Sequence, residues 1–456
     1  MSGLFGTLDV ALHSMLTQQG ALRATTDNIS NLNTPGYSRR RPVITEEPPA
    51  YQGGILVGRG ATLSSIESIR DRILDLRIAA EQQKQGANDA YLSSMSGVEV
   101  FFTDGEDSLG GRIQTFFNSL DRLSTSPYDV SLRQAVLVSA GNMAQSFNDL
   151  AGKLQSESNQ IDLGVGQSVE EVNRLAASLA QLNQEVTARN TLGQDAGQVE
   201  DQRTELLKQL ASKIDVNVTD SPDGWTISTV RGNTLVVGGS SYVLTTRLDP
   251  ATNTGHVVAG TDDITSGIAG GQLGGLLRAR DQDIASLTNQ LDDFAFSLST
   301  ALNTAHSAGF DATGAPGGTL FTIPATSVGA AGTMRLAISD PQQIAASTAP
   351  GVADNGNVTK LLSARDQGVI NGQTPGNAYS SLVYQVGGNI SNTNIDSQAG
   401  EIVLQQLEAL RGSISGVSLD EEAANLVRFQ RAFEASARVI QTVNELLSTA
   451  VNLGSS

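Results

Sequence analysis

The sequence predicts a mainly α-helical chain with a β insert. The expected layout is an elongated multi-domain rod, with the N- and C-terminal helices paired as a coiled coil, a central helical bundle and a small all-β outer domain. Three observations predict it. Both ends carry apolar residues at seven-residue spacing. Long helical patterns follow one another with short Gly- or Pro-marked breaks between them. At Ile214 the apolar period changes from helical to alternating, and at 271 it changes back.

The last helix organises the rest. Leu419, Leu426, Phe433, Ile440 and Leu447 are seven apart, Ala423, Ala437 and Val451 take the companion position, and Gln430 and Asn444 interrupt it. Phe429, Val443 and Ala450 widen the stripe. A repeat of seven is the seam of a helix that wraps around another. Residues 419–453 make a rod of roughly 50 Å, which cannot bury its stripe alone. Residues 2–32 offer the partner. Leu8, Met15, Leu22 and Ile29 repeat at seven, with Leu4, Ala11 and Leu32 beside them and Leu12 and Leu16 thickening the stripe. That helix stops at Asn33-Thr34-Pro35-Gly36, where Pro-Gly suits the centre of a type II turn before Tyr37.

An extended arm follows over 37–65, with Arg39, Arg40 and Arg41 as a local salt-bridging cluster. Helix is expected over 66–102, with Ile66, Ile69, Ile73, Leu76 and Ala80 on one face, until Thr103-Asp104-Gly105 breaks it. Further helices are expected over 108–123, 129–190 and 196–212, with Gly164 and Gly166 as a possible bend. Residues 215–219 and 225–230 read as a hairpin around Pro222-Asp223-Gly224, and short strands continue to Ala259. Trp225 reads as core. Helix resumes over 271–308, with Leu273, Leu276, Leu277, Ile284, Leu287, Leu291, Phe294, Leu298 and Leu302 inside. Residues 309–338 are expected to rejoin the β module. A loop over 341–356, a brief helix over 358–365 and a long one over 378–414 lead to the final rod. The domains expected are 1–35 with 418–456 as the terminal coiled coil, 36–213 with 356–417 as the bundle, and 214–355 as the β-rich insert, whose helix 271–308 packs on the bundle.

Lys and Arg number 29 against 47 Asp and Glu, a net charge of −18. Phosphate repels such a chain, so neither nucleic acid nor anionic membrane is expected as a partner. With no cysteine there are no disulfides or thiolate metal sites. No apolar run is long enough to insert in a membrane. The N-terminus lacks a basic leader, and Asp9, His13, Gln18 and Gln19 interrupt any apolar core, so no cleavable signal peptide is expected. His13, His256 and His306 lack ligand spacing, and His13 reads as an interface residue. The glycines at 270, 271, 274 and 275 lack a P-loop's Gly-Lys-Ser/Thr and read as a helix start. Asp311-Ala312-Thr313-Gly314 reads as a turn, not a calcium loop. Glu421 and Glu422 follow Ser418 as first-turn acids and a capping box. No nucleophile–base pair appears, so no enzyme, cofactor, metal or catalytic site is expected.

Two segments carry a resemblance. LFG at 4–6, QGAL at 19–22 and TDNISNLNTPGYSR at 26–39 resemble the N-terminal signature shared by bacterial flagellar rod, hook and hook-associated proteins. SGVSLDEEAANLVRFQ at 415–430 and ASARVIQT at 435–442 are similar to the C-terminal signature of the hook-associated, hook–filament junction members. GGLLRARDQ at 274–282 and NTAHSAGFD at 303–311 are similar to internal segments of the same family. Residues 322–350 are too few for an additional outer domain of the kind some members carry.

The resemblance implies a structural subunit in a ring of copies between hook protein and the next junction protein. It further implies type III export with a chaperone on the C-terminal helix, and an extracellular place in the flagellum. Ends that stay unfolded until assembly would suit such export. The interface residues expected are Leu4, Leu8, Leu12, Met15, Leu22 and Ile29 on the first helix, and Leu419, Leu426, Phe429, Phe433, Ile440, Val443 and Leu447 on the last. Asn33, Thr34, Pro35, Gly36 and Tyr37 form the turn signature. Three rivals are weighed against this reading. Another axial subunit is disfavoured by the wording at 415–442 and by Pro35-Gly36-Tyr37. An adhesin or glycan enzyme on a helical stalk is disfavoured by the lack of paired acids in the insert. An intracellular coiled-coil scaffold predicts dimers of the dilute chain.

Overall fold

A computed structural model describes residues 2–52, 55–103, 105–352 and 354–454. Gly53, Gly54, Asp104 and Ala353 lie outside the described residues, and the expected arm, break and loop run through them. The chain forms two compact units. The first holds Met1–Gln83, Val172–Val243 and Gly400–Ser456; the second holds Lys84–Glu171 and Leu244–Ala399.

In the first unit, helix α1 (Ser2–Ser30) leads through the turn into strand β1 (Arg40–Glu46). The arm turns at β2 (Ala50–Gln52) and β3 (Ile55–Val57) and returns as β4 (Ala61–Ser68), antiparallel to β1. Helix was expected from Ile66, but Ile66 pairs with Pro42 inside β4. Helix α2 (Arg72–Glu99) starts only where that ladder ends. Its inward face holds Leu74, Ile78 and Ala79, whereas Ile73 and Ala80 are exposed. Spacing locates a stripe, but a residue claimed by a strand drops out of it and rotates the remainder.

Helix α4 (Val130–Thr191) passes through Gly164 and Gly166 without interruption, and its residues from Val172 belong to the first unit. Helix α5 (Gly197–Lys213) precedes β5 (Val216–Ser221) and β6 (Gly224–Thr229), the expected hairpin, with Gly224 at φ 111°. Strands β7 (Thr234–Val237) and β8 (Ser240–Ser241) complete an order β5-β6-β7-β8. Trp225 is buried in this sheet, and the Arg203 guanidinium lies 3.8 Å from its ring centroid.

The second unit holds α3 (Leu109–Thr125), capped by Ser108, whose hydroxyl accepts from the Gly111 amide at 3.1 Å. Strands β9 (Leu244–Asp249), β10 (Thr254–Ala259) and β11 (Asp262–Asp263) form their own sheet in the order β11-β10-β9. The alternating stretch is thus shared between two sheets in different units, where a single module was expected. Alternation reports the strands but not which of them pair. Helix α6 (Gly271–Leu277) continues through a π-helical stretch (Arg278–Ile284) into α7 (Ala285–Ser307), and the nine apolar residues expected inside are all buried. Gly275 is required there: a Cβ would stand 2.1 Å from the Ala87 carbonyl oxygen of α2.

Strand β12 (Phe321–Thr322), the short helix α8 (Ala330–Thr333) and β13 (Arg335–Leu336) occupy the stretch expected to rejoin the β module. They lie on α7 instead. Asn303 takes the Leu320 and Phe321 amides at 2.8 Å, and Asp292 takes the Gly329 and Ala331 amides at 2.7 and 2.9 Å. Side-chain amide and carboxylate groups capture a strand with little apolar alternation of its own. Helix α9 (Gly356–Asp366) also packs on α3 and α7. Phe147 and Phe294 meet edge-to-face at 5.3 Å within this core. Helix α10 (Pro375–Ser415) leads to α11 (Leu419–Gly454).

Candidate assembly surface at the paired chain ends

Helices α1 and α11 pack against each other in the first unit, and the arm strands β1 and β4 cover another side of α1. Ser14 and Ser436 hydroxyls meet at 2.9 Å, and the start of α11 reaches the arm beyond the end of α1, so the pairing is antiparallel. Gly20 lets Leu63 of β4 approach α1, with Leu63 Cδ2 2.4 Å from where a Cβ would stand.

The faces that meet differ from those the heptads suggested. On α11 the buried row is Glu422, Phe429, Ser436 and Val443, again at seven-residue spacing. The expected row flanks it: Leu426, Phe433, Ile440 and Leu447 are half-buried and Leu419 is exposed. On α1 the buried residues are Ala11, Thr17, Ala21, Ala24, Thr25 and Asn28. Leu4, Leu8, Met15, Leu22 and Ile29 are half-buried, while Leu12 and Leu16 are 43% and 51% exposed, as is Phe5 at 57%. Small side chains let helices approach, and a carboxylate can occupy the seam when it is paired. An average of hydrophobicity sees neither.

The turn signature builds the junction at the root of the pair. Thr34 and Tyr37 close a turn (Tyr37 amide to Thr34 carbonyl, 3.2 Å) with Gly36 at φ 78°, the left-handed value a type II turn needs at its third residue. Tyr37 donates its hydroxyl to Asn28 Oδ1 at 2.9 Å, and burial pushes its pKa up to about 12. Asn28 also takes the Arg40 amide (2.8 Å) and donates to the Arg40 carbonyl (2.9 Å). The Ser38 amide donates to Asp201 of α5 at 3.1 Å. Burial raises the Asp201 pKa against the opposing pull of this bond and of Arg70.

Sequence alone missed what the following residues do. The Arg39 amide donates to the Ser415 carbonyl at the end of α10 (2.9 Å). Its guanidinium takes Glu422 Oε1 at 2.8 Å and Glu421 Oε2 at 2.7 Å at the start of α11. The two carboxylates read as first-turn acids, Glu421 with Ser418 as a capping box, therefore reach across to the arm. Arg411 of α10 donates to the Gly36 carbonyl at 2.7 Å, and with Lys208 it neutralises buried Asp75 at 3.1 and 3.3 Å. Arg40 lies 3.6 Å from Asp195, and Arg41 3.4 Å from Glu67, so the three arginines do form a local ion-pair cluster. A basic residue paired with an acid 383 positions later carries no local signal.

Elsewhere the candidate polar residues have structural partners. His13 lies between Asp9 (3.4 Å) and Glu47 (3.7 Å). His256 bridges Asp263 and Asp249 at 2.6 and 3.6 Å. His306 is fully buried: its Nδ1–H donates to the Gly318 carbonyl at 2.7 Å and Nε2 accepts from the Ala345 amide at 3.0 Å. Asp311 accepts the Thr313 and Ala315 amides in a turn. Among the described residues no cluster of three His, Asp or Glu could hold a metal, and no helix is long and apolar enough to cross a membrane.

Known proteins resemble this chain. Residues 95–321 match the flagellar hook-associated protein FlgK helical domain, residues 411–453 the C-terminal flagellar basal body rod FlgEFG family, and residues 8–37 the flagella basal body rod protein family. The chain is 26% identical to flagellar hook-associated protein 1 of Salmonella typhimurium over 546 aligned residues, covering 97% of this chain and 99% of that one. Its identity to the Bacillus subtilis protein of the same name is 27%, covering 99% of each. An alignment of 546 positions is longer than the 456 residues here, so the Salmonella relative carries segments this chain lacks. The solved flagellar hook junction protein FlgK from Burkholderia pseudomallei superposes with a TM-score of 0.67 at 16% identity, over 74% of this chain and all of that one, which shows the shared fold. The chain belongs to the flagellar hook-associated protein 1 family, and its two ends carry the signatures of the flagellar rod proteins.

Proposed function

We propose that this chain is a structural subunit of the bacterial flagellum, without enzymatic activity, that assembles with copies of itself as a ring at the hook–filament junction. Hook protein lies on one side of that ring and the next hook-associated junction protein on the other. The chain reaches this extracellular place through the flagellar type III export system, with a chaperone holding the C-terminal helix. One observation supports the reading most. Helix α1 turns its small residues inward and leaves Phe5, Leu12 and Leu16 outside. Tyr51, Ile55 and Leu56 on the arm hairpin are exposed as well. An exposed apolar surface of this kind is the mark of a site that a neighbour covers. In the assembled ring, 1–35 with 418–456 form the axial layer, 36–213 with 356–417 the helical layer, and 214–355 the outer part.

The test replaces the native gene in a flagellated relative with this chain. Leu12→Asp with Leu16→Asp should leave the purified protein's melting temperature within a few degrees, because both side chains are exposed, yet abolish filament attachment and motility. Normal filaments from that variant would remove the terminal surface from the mechanism. Hydrolysis of a glycan by the isolated insert would favour the stalked-enzyme alternative.

A further inference from the structure

We infer that two polar pins set the register of α11 on α1, and that Arg39 is the positioning residue of this pairing. The apolar content of the seam does not define a register by itself. On the α1 side it offers Ala11, Ala21 and Ala24, and on the α11 side only Phe429 and Val443 among four buried positions. The register that levels Ser436 with Ser14 sets Phe429 at Ala21; sliding α11 by one heptad, about 10 Å, would set Phe429 at Ser14, again a small residue, so the fit of large against small side chains distinguishes the two registers only weakly. The other two buried positions are polar, and each meets a polar partner. Ser436 meets Ser14. Fourteen residues away in each direction, the same antiparallel register sets Glu422 level with Asn28, where the arm crosses. Asn28 grips the Arg40 backbone with both ends of its amide, and Arg39 delivers its guanidinium to Glu422, whose side chain is 3% exposed. A heptad slip would leave Glu422 buried without a counter-charge, and a buried unpaired carboxylate is strongly unfavourable. Single polar residues in coiled-coil seams specify register by this logic.

The pins also act across the break between α10 and α11. Gly36 in the turn and Arg39 just after it hold Arg411 and Ser415 before the break and Glu421 and Glu422 after it. The turn signature at the N-terminal end therefore determines where the C-terminal helix begins.

The natural absence of cysteine makes the register directly readable. In the purified full-length chain, Ser14→Cys with Ser436→Cys should close a disulfide under mild oxidation, since the two hydroxyls already lie 2.9 Å apart. Disulfide closure traps even transient pairing. Adding Arg39→Leu and Glu422→Leu, which keeps the seam apolar and the helices intact, should slow this closure at least tenfold. It should also open closure between Ser14→Cys and a cysteine one heptad away, Phe429→Cys or Val443→Cys. Exchanging the charges, Arg39→Glu with Glu422→Arg, should restore the 14–436 bridge, a rescue that a general loss of stability would not show. Unchanged closure at 14–436 in the double leucine variant overturns the inference, and so does failure of the unmodified background to close that bridge. The readout does not depend on assembly, so filament attachment tests the proposed function separately.

Discussion

Single side chains at the junction carry charge and hydrogen bonds out of proportion to their apolar area. Asp75 sits buried between Lys208 and Arg411. Asp75→Asn leaves two cations without their anion, and should lower the unfolding free energy by about 3 kcal/mol in a urea titration. Tyr37 stays neutral to about pH 12 because it is buried, so Tyr37→Phe removes only a neutral donor. Its expected cost is about 1 kcal/mol, since Asn28 Oδ1 retains the Arg40 amide. In the second unit, burial holds the His306 pKa below its usual 6.5, and Nε2 is needed unprotonated to accept from the Ala345 amide. The unfolded chain takes up the proton first. Stability should therefore fall as pH drops below about 6.5, by up to about 1.4 kcal/mol per pH unit until the folded pKa is reached. His306→Gln should flatten that slope in thermal melts between pH 7.5 and 5.

At the scale of elements, close approach separates glycines that matter from glycines that do not. A Cβ at Gly275 would collide with the Ala87 carbonyl oxygen, a backbone atom that cannot swing aside. Gly275→Ala should cost about 2 kcal/mol or more by forcing α6 from α2. Gly164, inside α4, would meet only Leu276 side-chain carbons at 3.6 Å. Gly164→Ala should instead raise stability by about 0.5–1 kcal/mol through helix propensity. Measuring both by denaturant midpoint distinguishes packing from propensity. Helix existence was legible wherever a helical pattern ran long: α4 was expected over 129–190 and spans 130–191. The start of α2 was not, because Ile66 fits a helical stripe and a strand equally well and the pairing with Pro42 decided for the strand.

For the whole molecule, the net charge of −18 opposes bringing many copies together. Association of the purified chain should strengthen as salt rises from about 20 to 200 mM, where the screening length falls below about 10 Å. Sedimentation velocity reads this directly, and weaker association at high salt would mean that ion pairs between copies dominate. The candidate surface was partly legible. Both ends announced paired helices, and the turn at Pro35-Gly36 was read from its residue types. The face of each helix was not, since Glu422 counts as polar in any periodicity and becomes a seam residue only beside Arg39.

What the sequence determined by itself is local or strongly repeated: the helices at 2–30 and 419–454, the type II turn, the 216–229 hairpin, and the flagellar signatures at both ends. Each follows from neighbours within a few residues, where backbone sterics and periodic burial act. The tertiary structure alone decided which stripe of α1 turns inward, how the strands after 214 divide between two sheets, and that Arg39 joins Ser415 to Glu422. Those choices depend on groups hundreds of residues apart, whose pairing energy exists only after the chain has brought them together.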